Sequence, residues 1–355
     1  MSVSSPASPV LDGVDPCAAL YQTIFGFTQG RLLFSAIELD IFTRIAQGCD
    51  AAPALSKAVG ADLRAMRIFL DGLVGAGLLQ KSPQSPDAYT IPAAYAPYLV
   101  QGAPHYLGGL IVHGRRLSDA WGALTEVLRR GRPSGRAQAL TVVEEQFAEL
   151  VSGMAILHEA SAEQLAQALS QRELTPAPGA NGLRILDIGC GTGHWSAALL
   201  RAFPASVATL VDFRRVIEVA ARYMAQHGLS DRVTTVAGDL EELSFDPMAY
   251  DVVILANLCH AIGPSAAQEA LKKAAQALAP GGSLIIVESL ADVQRAQPGW
   301  PLIFGVNMLV STDEGDVLTQ AQCDAWLSVL GFAASEAIAL EPPLTALLCA
   351  APAPR

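Results

Sequence analysis

Apolar and polar positions change style once along the chain. Between Cys17 and Ala46 the spacing is helical: Leu33, Ile37, Ile41 and Ile45 recur every four residues and share one face, and Gly48 closes the run. A short helix is expected over Ala52–Val59. A longer one follows over Ala61–Val74, with Met66, Leu70 and Leu73 on one face and Gly77 as the stop. Leu78–Ile91 reads as a hairpin turning at Ser82-Pro83-Gln84-Ser85-Pro86. Three helices and a hairpin make a winged-helix arrangement. Further helices run from His105 to Leu169. Glu173–Gly182 (ELTPAPGANG) is rich in Pro and Gly and reads as a linker.

Beyond the linker, short apolar runs alternate with helical ones. Strands are expected at Leu183–Ile188, Val207–Asp212, Val233–Ala237, Asp251–Ala256 and Ser283–Glu288, with Pro280-Gly281-Gly282 ending the fourth helix. Such alternation means a parallel, doubly wound sheet. After a helix at Thr319–Leu330, the runs Ala337–Leu340 and Thr345–Ala350 sit close enough to pair as a hairpin. The expected fold is therefore α/β: a Rossmann-like, seven-stranded domain behind a mainly helical, winged-helix-like domain. The expected boundaries are a Ser/Pro-rich disordered tail at 1–14, the helical domain at 15–110, connecting helices at 111–172, the linker at 173–182 and the sheet domain at 183–355.

Composition narrows the function. A chain of 355 residues, 51% of them apolar and 16% charged, suits two domains with large cores. A net charge of −11 argues against nucleic acid or an anionic membrane as partner. The would-be recognition helix agrees: Asp62, Arg64, Arg67 and Asp71 sum to zero. No apolar run approaches the roughly 18 residues of a membrane span. The start, MSVSSPASPV, has neither a basic region nor an apolar core, so a cytoplasmic protein is expected. The six cysteines (17, 49, 190, 259, 323 and 349) are scattered without a C-x-x-C pair, as reduced thiols would be.

Candidate chemistry centres on Leu183–Trp195, LRILDIGCGTGHW. An apolar strand runs into Gly189, Gly191 and Gly193, and a helix follows. The glycines allow a sharp turn with a ligand against main chain, and the helix start offers free N–H groups. A dinucleotide fingerprint needs G-x-G-x-x-G, but counting from Gly189 or Gly191 the sixth position is His194 or Ser196. The pattern that stands here is D-x-G-x-G-x-G, beginning at Asp187. It resembles the first motif of class I S-adenosylmethionine-dependent methyltransferases, whose sheet also ends in an antiparallel hairpin.

In such sheets ligands lie at the carboxyl ends of the strands. Asp212 ends the second strand, 19 residues after Gly193, and can accept two hydrogen bonds from a ribose diol; otherwise it caps the next helix. Asp239, in Ala237-Gly238-Asp239-Leu240, can accept from an adenine amino group, or is a turn aspartate. Asp187 can orient the amino-acid end. Gly238, Leu240 and Asn257 complete the expected cofactor contacts. No metal is expected, for no H-x-x-x-H or paired-carboxylate pattern surrounds these acids.

The fourth strand ends in Ala256-Asn257-Leu258-Cys259-His260, and 28 residues after His260 the fifth ends in Glu288. With these residues the chain resembles, over nearly its whole length, the small-molecule O-methyltransferases of the plant phenolic type. Bacterial relatives of that family act on polyketides, phenazines, carotenoids and bacteriochlorophyll precursors. The resemblance implies an N-terminal dimerisation domain, hence a homodimer. It also implies S-adenosylmethionine as methyl donor, S-adenosylhomocysteine as product, His260 as general base and Glu288 as its holder.

The sequence departs from the family at several positions. The residues after the base are Ala261 and Ile262 in place of an acid and, often, Trp. Where the family has a second carboxylate this chain has Val317, so either Asp316 or Glu314 nearby substitutes or the role is absent, and a lysine often found four residues before the base is Ala256. In that family the acceptor is lined by two segments, which here carry Phe147, Met154 and His158 on one helical face and Trp300, Phe304, Asn307 and Met308 after Glu288. The expected activity is methylation of a hydroxyl on a small aromatic or conjugated metabolite. The alternatives are S-, N- or C-methylation on the same scaffold, or a cyclase or decarboxylase that retains the cofactor.

Overall fold

A computed structural model describes residues 15–83, 85, 87–133, 140–172, 174, 176 and 181–351. The expected tail at 1–14 and most of the expected linker lie outside the described residues. The chain divides into two units. The first holds residues 15–119 and Ser152–Ile156; the second holds Ala120–Val151 and everything from Leu157 onward. The division thus falls after Asp119 rather than after 110, and most of the connecting helices belong with the sheet.

In the first unit the long run expected over Cys17–Ala46 is three helices: α1 (Pro16–Phe25), α2 (Phe27–Glu38) and α3 (Ile41–Ala46). A fourfold apolar repeat cannot see these breaks. One lies at Gly26; the other is Asp40, which adopts a left-handed φ of 54° that ends α2. Then come α4 (Ala52–Val59) and α5 (Leu63–Gly75). Asp62 caps α5 by accepting from the Ala65 N–H at 2.8 Å. Met66, Leu70 and Leu73 face the core as their spacing predicts. The hairpin is minimal, β1 (Gln80–Lys81) against β2 (Tyr89–Thr90). It is tied to α5 because Asp71 accepts from the Tyr89 hydroxyl at 2.8 Å and pairs with Lys81 at 3.0 Å. Helices α6 (Ala96–Leu99) and α7 (Gly108–Trp121) follow.

The second unit takes in the last residues of α7, then α8 (Leu124–Arg130) and all but Ser152–Ile156 of α9 (Leu140–Ser170), before the sheet. Its elements are β3 (Arg184–Ile188), α10 (His194–Ala202), β4 (Val207–Asp212), α11 (Arg214–Gln226), β5 (Val233–Ala237), β6 (Tyr250–Ala256), α12 (Cys259–Ala277) and β7 (Leu278–Glu288). They are followed by α13 (Gly299–Ser311), α14 (Gln320–Val329), β8 (Glu336–Ala339) and β9 (Thr345–Ala350). The strand order is β5-β4-β3-β6-β7-β9-β8, parallel except where β9 pairs with β7 and β8. The strand order reverses between β3 and β6, and in sheets of this kind the carboxyl ends at such a switch are where a ligand lies.

Both sheet faces are covered, which is why the strands read as nearly unbroken apolar runs. Ile185, Leu210, Ile254 and Ile285 pack with Leu165 and Leu169 of α9 on one face. Leu186, Val211, Val253 and Ile286 pack with Leu271 of α12 and Leu327 of α14 on the other. Pro280-Gly281-Gly282 does not end a helix, as expected; α12 already ends at Ala277. The three residues lie inside β7, where the register against β6 slips between Tyr250↔Leu278 and Val252↔Ser283. Gly281, at φ +79°, supplies the bend. Among the described residues no helix is long and apolar enough to cross a membrane.

Candidate active site

All three glycines of the turn after β3 take positive φ: 70° at Gly189, 57° at Gly191 and 76° at Gly193. The third also clears space for packing, since a Cβ there would stand 2.6 Å from Met224 and 2.9 Å from Leu210. Asp212, at the end of β4, folds the turn toward itself. Its Oδ2 accepts from the Gly191 N–H at 2.9 Å and its Oδ1 from the Phe213 N–H at 2.7 Å. It does not cap α11, whose N-cap is Phe213 with no side-chain bond. Each oxygen keeps a lone pair for a further donor. Loss of surrounding water pushes this carboxyl up to about 6.

Asp187 is fully buried. Its Oδ2 accepts from the Ser196 hydroxyl at 2.7 Å, while Oδ1 has no partner among the described residues. Burial pushes this carboxyl up to about 7, against the Ser196 hydrogen bond. A buried acceptor without a donor suits a ligand group that brings one.

Asp239 follows β5 and makes a tight turn, its Oδ1 accepting from the Glu241 N–H at 2.9 Å. The Lys273 ammonium on α12 pins this turn by donating to the carbonyls of Leu240, Glu241 and Leu243 at 2.5, 2.9 and 2.8 Å. Gly238 sits against Leu243, only 3.0 Å from where a Cβ would be. Asn257, at the end of β6, holds a left-handed φ of 54° and donates its N–H to Val287. Strain of this kind concentrates at functional sites.

His260 opens α12 beside Glu288, which ends β7. Both are buried, at 9% and 1% exposure. His260 Nδ1 lies 2.6 Å from Glu288 Oε2. The other carboxylate oxygen accepts from the backbone N–H groups of Cys259 at 2.9 Å and His260 at 3.3 Å. A carboxylate in its ionised form only accepts, so in that form this contact calls for a proton on Nδ1, and a neutral ring then has its acceptor nitrogen at Nε2. Nε2 has no hydrogen-bond partner among the described residues.

The residues expected to line the acceptor divide in the structure. Phe304 stands edge-on to the His260 ring at 4.9 Å. Asn307, one turn on, accepts from the Trp121 indole N–H at 2.6 Å. Trp300 is half-buried and Met308 nearly sealed, both on the same helix. Phe147 instead lies near Phe213 at 6.5 Å, and His158 packs under the glycine turn with His194 at 6.2 Å and Trp195 at 6.4 Å. Burial lowers His158 to about 4, and burial and then His158 lower His194 to about 3, so both rings are neutral at physiological pH. Met154 belongs to the first unit. Of the two stand-ins for the second carboxylate, Asp316 is committed to Arg295 at 2.6 Å and to the Val317 N–H at 2.7 Å. Glu314 packs against Gly263, where a Cβ would come 2.7 Å from its own.

Three residues here escaped sequence reasoning. Ser196, Lys273 and Trp121 carry no motif, and only the folded chain brings them to Asp187, the Asp239 turn and Asn307. An open groove of about 440 Å³ lined by Gln164, Gln167, Ile338 and Glu341 shares no residue with this constellation.

Sheet order, glycine turn and strand-end acids together define a methyltransferase-type α/β domain, and the comparisons agree. Residues 130–333 match the O-methyltransferase domain, and residues 21–97 match the O-methyltransferase dimerisation domain. The tetracenomycin polyketide synthesis 8-O-methyl transferase of Streptomyces glaucescens is 30% identical over 88% of this chain and 90% of its own. The 3-hydroxy-5-methyl-1-naphthoate 3-O-methyltransferase of Streptomyces sahachiroi is 29% identical, covering 86% of each. Human N-acetylserotonin methyltransferase, solved in complex with S-adenosylmethionine, shares the fold at a TM-score of 0.81 and 22% identity, covering 96% of this chain and 99% of that one. The chain belongs to the O-methyltransferase family, and it is an S-adenosylmethionine-dependent O-methyltransferase.

Proposed function

We propose that the enzyme methylates a hydroxyl of a small aromatic or conjugated secondary metabolite, with His260 as general base. The observation that carries this reading is the buried His260–Glu288 pair, with Nδ1 2.6 Å from Oε2 and Nε2 without a hydrogen-bond partner among the described residues. A phenol or enol is a poor nucleophile while protonated, and a neutral imidazole can take its proton. Glu288 fixes the tautomer and stabilises the imidazolium that results. Two backbone N–H groups hold Glu288 in turn, so the base is oriented by a network rather than by one contact.

The cofactor crevice fits S-adenosylmethionine, which supplies the electrophilic methyl when bound. Asp212 would hold the ribose hydroxyls on its remaining lone pairs. Asp239, on the turn pinned by Lys273, would take the adenine amino group, and Gly238, Leu240 and Asn257 would border it. Gly189 and Gly191 let main chain approach the cofactor. The orphan Oδ1 of Asp187 would accept from the amino-acid end. On the acceptor side, Phe304 lies against the base, and Trp300, Asn307 and Met308 share its helix. We also assign Leu20, Tyr21, Ile24, Phe25 and Phe27, all 46–65% exposed, to a homodimer interface.

The test is His260→Ala. Turnover should fall about 10²–10⁴-fold while S-adenosylhomocysteine affinity holds, because a general base acts on the transition state. Glu288→Gln should cost less, and the two effects should not add. Near wild-type turnover of a hydroxyl acceptor by His260→Ala would end this reading.

A further inference from the structure

Trp121 and Asn307 lie 186 positions apart and meet through one hydrogen bond, indole Nε1–H to Oδ1 at 2.6 Å. By shape alone the two ends of an asparagine amide are interchangeable. The indole removes the ambiguity, because it is a donor only and its partner must be the carbonyl oxygen. Nδ2, with two donor hydrogens, then has no hydrogen-bond partner among the described residues, and the side chain is only half-buried.

The place of that donor follows from the helix. Phe304 precedes Asn307 by three residues, so both occupy one face of α13, about 5–6 Å apart at Cβ. Phe304 is the residue edge-on to His260. The Asn307 amide therefore belongs to the same face of α13 as the ring that meets the imidazole, one turn further along the helix.

We propose that Trp121 is a positioning residue that locks Asn307 as a pure hydrogen-bond donor. The methyl acceptor then carries a matching acceptor atom, such as a ketone or quinone oxygen or a ring nitrogen, away from the hydroxyl that is methylated and toward the next turn of α13. The inference rests on the reading that this hydroxyl sits at His260. A molecule with an apolar edge at that place leaves a desolvated amide unpaired, which costs binding. Trp121 makes the selection sharper: without its N–H the amide could turn its oxygen inward and serve a donor instead.

Two probes separate these cases. One is 6-hydroxy-1-tetralone; the other is 5,6,7,8-tetrahydro-2-naphthol, which keeps the skeleton and the phenol but lacks the ketone. Their affinities are measured by calorimetry on the full chain saturated with S-adenosylhomocysteine. The wild type should prefer the ketone about 10-fold. Trp121→Phe keeps an aromatic body and removes the N–H. The preference should fall to about 2-fold or less, with affinity for the naphthol and for S-adenosylhomocysteine unchanged. Asn307→Leu should abolish the preference, and adding Trp121→Phe to it should change nothing more, because Trp121 acts through Asn307. A ketone that does not bind, equal binding of both probes by the wild type, or an unchanged preference in Trp121→Phe would each overturn the proposal. These affinities need no proton transfer, so His260→Ala should retain the preference; failure of the base and failure of this inference are thereby distinguished.

Discussion

Replacing Asp187 by Asn should change how stability depends on pH. The carboxyl is fully buried, with one oxygen on Ser196 and the other unpartnered. Burial raises its folded pKa from 3.8 to about 7, and the nearby Asp212 adds to the rise. A raised pKa means that the folded state binds the proton more tightly than the unfolded state. Its contribution is therefore complete below about 3.8 and is lost as pH rises through about 7. The whole gap corresponds to ~4 kcal/mol, of which ~3 kcal/mol is crossed between about pH 5 and pH 8. The amide can still accept from Ser196 but cannot ionise, and whatever its new N–H₂ costs is the same at every pH. The variant should thus gain ~3 kcal/mol on the wild type between those two values, measured without cofactor. Urea titration followed by tryptophan fluorescence suits the purpose: Trp121, Trp195, Trp300 and Trp326 all lie in the second unit, with Asp187. Parallel stability curves for the two proteins would refute the argument, for they would mean that Asp187 is already ionised and satisfied.

Other consequences are quicker to check. Asp212→Ala removes an acceptor assigned to two ribose hydroxyls and should weaken S-adenosylhomocysteine by about 1.5–3 kcal/mol per charged hydrogen bond, read by calorimetry. Gly193→Ala forces a Cβ to within 2.6 Å of Met224 at a φ of 76° and should cost ~2–4 kcal/mol in the same urea titration; an unchanged midpoint would show that the turn relaxes freely.

The middle of the sheet was legible because β3, β6 and β7 are buried on both faces, and an apolar run bounded by Gly or Asp has few other uses. Val207–Asp212 and Val233–Ala237 fall where the pattern places them. The meeting of His260 and Glu288 was legible for a related reason: Glu288 ends β7, His260 follows the end of β6 by four residues, and parallel strands end on one edge. What periodicity could not reach were contacts made by geometry alone. Nothing near Asp40 announces a left-handed residue, and Pro280-Gly281-Gly282 signals a helix stop as well as the strand irregularity it forms. His158, Phe147 and Met154 share a helical face in sequence, yet α9 is 31 residues long and its turns meet different surroundings. His158 thus meets His194 and Trp195 while Phe147 meets Phe213.

The pin on the Asp239 turn has a chemical corollary. The chain carries four lysines, at 57, 81, 272 and 273. Two of them are sequence neighbours with opposite surroundings. Lys272 is exposed and, among the described residues, paired with Glu269 at 3.2 Å, whereas Lys273 spends its three N–H donors on three carbonyls of one turn. An acylating reagent needs a deprotonated, accessible amine, so it marks Lys272 readily and reaches Lys273 only when the turn comes loose. Once acylated, Lys273 has one N–H left for three carbonyls and the turn cannot close as before. The ratio of label on these adjacent residues, read from a single peptide, is a built-in gauge of whether the Asp239 turn is closed.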